Sequence, residues 1–106
     1  MKAIIIDPAA TPAIYEHDIK GKDMLAALQK LVGGYIEMHR IAPKDVLFVD
    51  EEWTMKRDPE FKGQFKIGPT TFGGRGVILG VKGSGNTDVT LDLLDVSNRV
   101  TILKRK

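Results

Sequence analysis

Asp23-Met24-Leu25-Ala26-Ala27-Leu28-Gln29-Lys30-Leu31-Val32-Gly33-Gly34-Tyr35-Ile36-Glu37-Met38-His39-Arg40 is the stretch on which the fold turns. From Asp23 to Val32 the apolar residues Met24, Leu25, Leu28, Leu31 and Val32 recur at the spacing that lays one stripe along a helix. Gly33 and Gly34 end it, because glycine takes the left-handed backbone that closes a helix without steric cost. Tyr35 to Arg40 then alternates, with Ile36 and Met38 on one side and Tyr35, Glu37 and His39 on the other. A strand that begins straight after the glycines turns the chain back, so the helix stripe must lie on a sheet.

Working outward, Ala3 to Ile6 and Val46 to Val49 are continuous apolar runs, the pattern of strands covered on both faces. Asp7-Pro8-Ala9-Ala10-Thr11-Pro12 is turn chemistry, and Ile14 to His17 alternates as a half-exposed strand does. From Trp53 to Arg75 the pattern is poor. Phe61, Phe65, Ile67 and Phe72 are scattered anchors there, and one short strand is predicted at Gln64–Ile67. Gly76 to Val81 returns as a buried strand, Gly83-Ser84-Gly85-Asn86 reads as a turn, Thr90 caps a short helix reaching about Asn98, and Val100 to Leu103 is a last strand. The expectation is an α+β fold in one domain over residues 1–106: a twisted mixed β-sheet with one main helix and one short C-terminal helix packed on one face.

Composition narrows the function classes. A chain of 106 residues holds one core, and 42% apolar with 28% charged residues is ordinary for a globular protein. The net charge of +2 is too small for a DNA-binding stripe, so no DNA is expected; Lys104-Arg105-Lys106 reads as a solvated tail. The absence of cysteine excludes disulfides and thiolate chemistry. The apolar run at the N-terminus is too short for a signal peptide or a membrane span, which implies a cytoplasmic protein that stays where it is made.

Three patterns could carry chemistry. Asp50-Glu51-Glu52 offers carboxylates to a hard cation, although adjacent strand residues point to opposite faces, and a solvated strand end is the simpler reading. His17 and His39 could be neighbours across the sheet, yet no serine in a nucleophile context accompanies them. No catalytic residue, metal ligand or cofactor is therefore expected. Gly73-Gly74-Arg75-Gly76 is more suggestive: consecutive glycines free backbone N–H groups to face an anion, and a guanidinium adds a bidentate phosphate donor. Trp53 and Phe72 flank the same excursion and could stack on a base. The expected ligand site is thus Trp53, Phe72, Gly73, Gly74 and Arg75, with Arg75→Ala leaving stability nearly unchanged. A tight turn feeding the next strand is the alternative for the glycines.

The opening Met1-Lys2-Ala3-Ile4-Ile5-Ile6-Asp7-Pro8, the blocks Leu28 to Glu37 and Phe48 to Glu52, and Gly76-Val77-Ile78-Leu79-Gly80 resemble a family of small bacteriophage and plasmid proteins known only as a domain of unknown function. The resemblance covers most of the chain, and Val32-Gly33-Gly34-Tyr35-Ile36-Glu37 is its most distinctive piece. Trp53 stands where members commonly place a glycine. The resemblance implies a mobile-element origin and a host bacterial cytoplasm, and it carries no catalytic residues. Small phage accessory proteins without catalytic signatures generally act by binding. The favoured expectation is a non-enzymatic anti-defence sponge that sequesters a nucleotide-derived host immune signal, a cyclic nucleotide or cyclic ADP-ribose-type ligand. Binding and modulating a host or phage protein is the second expectation, and a metal-dependent hydrolase at Asp50, Glu51 and Glu52 the third. A homo-oligomer is expected on either binding reading.

Overall fold

A computed structural model describes residues 1–55 and 63–103. The predicted anchor Phe61 and the Lys104-Arg105-Lys106 tail lie outside the described residues. The described residues form nine strands and two α-helices: β1 Lys2–Ile6, β2 Ile14–Asp18, α1 Met24–Val32, β3 Ile36–Ala42, β4 Asp45–Asp50, β5 Gln64–Ile67, β6 Thr70–Gly73, β7 Gly76–Lys82, β8 Gly85–Thr87, α2 Leu93–Arg99 and β9 Val100–Leu103. The larger sheet runs β2-β1-β7-β4-β3, with β8 added beside β7, and the smaller runs β6-β5-β9. Every ladder among the described strands is antiparallel.

The two apolar runs become β1 and β4, with β7 between them. Their alternate residues feed two different cores. Ala3, Ile5, Val46, Phe48, Val77 and Leu79 meet Leu28 and Val32 of α1 on one face. Ile4, Ile6, Leu47, Val49 and Ile78 meet Phe65, Phe72 and Val96 on the other. Both faces are dry, which is why these strands show no alternation in sequence. The two helices consequently lie on opposite faces of the large sheet. The expectation of one shared face fails because the small sheet, with α2, needs the second face for its own apolar residues.

Local chemistry sets the element ends. The Asp23 side chain accepts from the Ala26 N–H at 3.0 Å and starts α1, while Gly33 closes it at φ 86°. At α2 the cap is Asp92, accepting from the Asp95 N–H at 2.8 Å, in place of the predicted Thr90. Thr90 is engaged elsewhere. Its N–H donates at 2.7 Å to the buried carboxylate of Asp45, and its hydroxyl donates to the same group. A β-bulge between Arg40 and Ala42 shifts the β3 register at its far end. The predicted Gly83–Asn86 turn is tighter than expected, since Gly85 already pairs with Lys82 in a β7–β8 hairpin.

Candidate functional site

The residues singled out for ligand binding are held mostly in structural duties. Phe72 is buried, its ring centroid 5.5 Å from Phe65 and 4.8 Å from His39, the latter edge-on. Gly73 is buried and pairs with Gln64. Gly74 adopts φ 77°, and its N–H donates to the Gly63 carbonyl at 2.9 Å. Arg75 donates from Nε to Asp7 Oδ2 at 3.2 Å and from Nη1 to the Leu31 carbonyl, also at 3.2 Å. Leu31 sits in the last turn of α1, where carbonyls lack helical partners, so the guanidinium ties the helix end to the β1–β2 loop. Gly76 pairs with Ile6, and a Cβ there would stand 2.8 Å from Phe65 Cζ and 2.9 Å from Leu47 Cδ1. The turn reading of this segment accounts for these contacts. Trp53 is half-buried and opens a 3-10 turn, Trp53–Met55, that packs against β6. The fold therefore gathers the five residues into one region but turns Phe72 inward and directs Arg75 toward Asp7.

An open pocket lies elsewhere, at the C-terminal end of α1. About 270 Å³ in volume, it is lined by Gln29, Gly34, Tyr35 and Glu52. Its construction follows from the glycine pair. The N–H groups of Gly33 and Gly34 both donate to the Gln29 carbonyl, at 2.8 and 3.2 Å, which wraps the chain around the helix end. The Glu51 N–H then donates to the Tyr35 carbonyl at 3.0 Å and opens the β3–β4 ladder. Asp50 is buried at the end of β4, and its Oδ1 accepts from the Glu52 N–H at 2.9 Å. Both Asp50 carboxylate oxygens lie 3.1 Å from where a Gly34 Cβ would stand, so the absence of a side chain at Gly34 is what lets this turn close over it. Tyr35 is left 65% exposed. An exposed ring, a side-chain amide and a carboxylate thus share one concave surface.

The acidic run divides accordingly. Asp50 is buried and caps a turn, whereas Glu51 and Glu52 face solvent. Among the described residues no three His, Asp or Glu side chains are placed to hold a metal ion. The two histidines are not neighbours: β2 and β3 are opposite edges of the large sheet, with three strands between them. Strand spacing puts them roughly 19 Å apart. His39 Nε2 is 3.1 Å from Glu37 Oε2, within ion-pair distance, yet among the described residues this buried nitrogen has no partner in hydrogen-bond geometry. The distance makes them companions; the angle leaves the nitrogen unsatisfied. On the β1–β2 hairpin, the hydrogen bond and charge of Glu16 raise the Lys2 ammonium above its ordinary value, and the Met1 ammonium lowers the Asp18 carboxyl.

In the sequence the four pocket residues carry no mark that joins them. Tyr35 read as an exposed strand position, Glu52 as part of an acidic run, and Gln29 and Gly34 as helix end. The available signal was a large aromatic placed directly after a helix-closing glycine pair.

This architecture, an antiparallel sheet covered by α1 on one face and by a small sheet with α2 on the other, is that of a compact α+β protein. The chain belongs to the family described as Domain of unknown function (DUF3846), whose model matches residues 1–101. Neither the curated proteins nor the solved structures contain a match to the chain. Among the described residues no helix is long and apolar enough to cross a membrane.

Proposed function

We propose that this protein is a non-enzymatic accessory protein of a bacteriophage, working in the cytoplasm of the infected cell. It sequesters a nucleotide-derived host signal of the cyclic nucleotide or cyclic ADP-ribose type. The observation that carries the reading is the exposed Tyr35 ring beside Gln29 and Glu52 over the Gly34 floor. A tyrosine face stacks on a base for about 1–3 kcal/mol. An amide offers both donors and acceptors to a base edge, and a carboxylate accepts from ribose hydroxyls. The stacking and recognition roles expected at Phe72 and Arg75 pass to these residues, because Phe72 is buried and Arg75 is bonded to Asp7 and Leu31. Trp53 follows Glu52 in the chain but is not among the residues lining the pocket.

The rim is anionic, since Glu51 and Glu52 are exposed. The ligand's phosphates would therefore stay in solvent, and screening of the carboxylates would favour binding. Calorimetry against a panel of cyclic mono- and dinucleotides and cyclic ADP-ribose should give saturable heat. Affinity should hold or rise between low and high salt, and the ligand should be recovered unaltered after the protein is denatured. A silent panel, or a chemically changed ligand, would overturn the reading. The second reading, modulation of a host or phage protein, draws on the exposed Met38 on the edge strand β3 and the exposed Leu25 on α1. A silent panel together with one stoichiometric protein bound at that edge would replace the first reading with the second.

A further inference from the structure

We propose that the open edge of β3 is a two-fold interface with a second copy of this chain. The pairing is antiparallel and centred on Met38. The two ends of the large sheet differ: α2 packs against β2, which exposes Glu16, His17 and Asp18, whereas among the described strands β3 pairs only with β4. Along β3, Met38 is 61% exposed. It lies opposite Phe48, a residue of the core beneath α1, so its side chain shares the α1 face. On that face Leu25 is 56% exposed, one helical turn before the pocket residue Gln29. An unpaired strand edge that carries an exposed apolar side chain is a surface that proteins ordinarily cover.

The backbone phase makes the edge complementary to itself. The Tyr35 carbonyl accepts from the Glu51 N–H, so Tyr35, Glu37 and His39 aim their backbone groups at β4. Ile36, Met38 and Arg40 therefore aim theirs outward. A two-fold axis through Met38 pairs Ile36 of one copy with Arg40 of the other and Met38 with itself, each pair exchanging backbone hydrogen bonds.

Side-chain hydrogen bonding selects this register. With Met38 at the centre, Glu37 of each copy stands opposite His39 of the other in a closely spaced, non-hydrogen-bonded pair. An acceptor thereby reaches the region of the buried His39 Nε2, which has no hydrogen-bond partner among the described residues. Shifting the centre to His39 would set Glu37 against Ile41 and the two histidines against each other. The Met38 register brings a carboxylate acceptor to each imidazole; the neighbouring one does not.

Sedimentation equilibrium of the full chain should show a species of twice the monomer mass. Met38→Pro removes only an outward N–H, since this residue's backbone does not bond to β4, and an edge position tolerates proline. It should raise the dimer dissociation constant by about thirtyfold or more while the far-ultraviolet circular dichroism stays native. The chain contains no cysteine, so single cysteines report the register: Met38→Cys should cross-link to itself under mild oxidation and Lys30→Cys should not. A wild-type protein that stays monomeric at high concentration overturns the proposal. So does a dimer that survives Met38→Pro while Met38→Cys fails to cross-link. Either failure leaves the pocket reading standing, because ligand heat is measured separately.

Discussion

Two short segments look alike in sequence and behave differently in the fold. Gly33-Gly34-Tyr35 and Gly73-Gly74-Arg75 each place a long side chain after two glycines. Each contains one glycine in the left-handed region, Gly33 at φ 86° and Gly74 at φ 77°. In the first, the glycines end a helix and the next strand is β3, at the margin of the sheet, so the tyrosine is left outside. In the second, the glycines leave the small sheet and the next strand is β7, between β1 and β4. The arginine is therefore drawn against Asp7 and the helix end, and Gly76 is packed under Phe65 and Leu47. A glycine pair presents its neighbour to a ligand only when the chain next enters an exposed element. Backbone N–H groups must be accounted for before they are offered to an anion.

The contrast can be broken by substitution. Gly76→Ala should have the largest effect, about 3 kcal/mol, because its Cβ meets two fully buried side chains with no room to yield. Urea denaturation checks it, and a loss under about 0.5 kcal/mol would mean the segment is loosely packed. Arg75→Ala comes next, at about 2 kcal/mol. It strands the buried Asp7 carboxylate and a helix-end carbonyl, and the figure is lowered from that of a fully buried pair because the Arg75 side chain is 39% exposed. This reverses the expectation from sequence, which treated Arg75 as free for a ligand. An unchanged melting temperature would restore that expectation.

How much was legible follows the range of the interactions. The α1 helix, the β1 and β4 runs, and the strands Gln64–Ile67 and Val100–Leu103 rest on local periodicity, and all of them form; within the predicted stripe, however, Leu25 is 56% exposed, and Ala27 packs against the core instead. That the last two pair side by side, Phe65 opposite Ile102, is a long-range choice with no local mark. β6 was missed because its four residues, Thr70–Gly73, are too short for alternation to register. The Thr90 cap was misassigned because Asp45, distant in sequence, claims that threonine while Asp92 performs the capping. At the site the same rule holds. Arg75 looked free because Asp7 is 68 positions away. Tyr35 looked ordinary because Gln29 and Glu52 are joined to it only by the closed helix end and the β3–β4 ladder.

The smallest effect on stability belongs to Tyr35, and it carries the sharpest test. Its ring is mostly exposed, so Tyr35→Ala should move the unfolding midpoint by no more than about 0.5 kcal/mol. Calorimetry with whichever cyclic nucleotide or cyclic ADP-ribose-type ligand binds the wild type should compare Tyr35→Ala with Arg75→Ala, well below both melting temperatures. Tyr35→Ala should lose about tenfold or more in affinity with its stacking face, while the less stable Arg75→Ala keeps near wild-type affinity. Full binding by Tyr35→Ala, with binding lost in a folded Arg75→Ala, would refute the Tyr35 site and return the ligand to the second glycine pair.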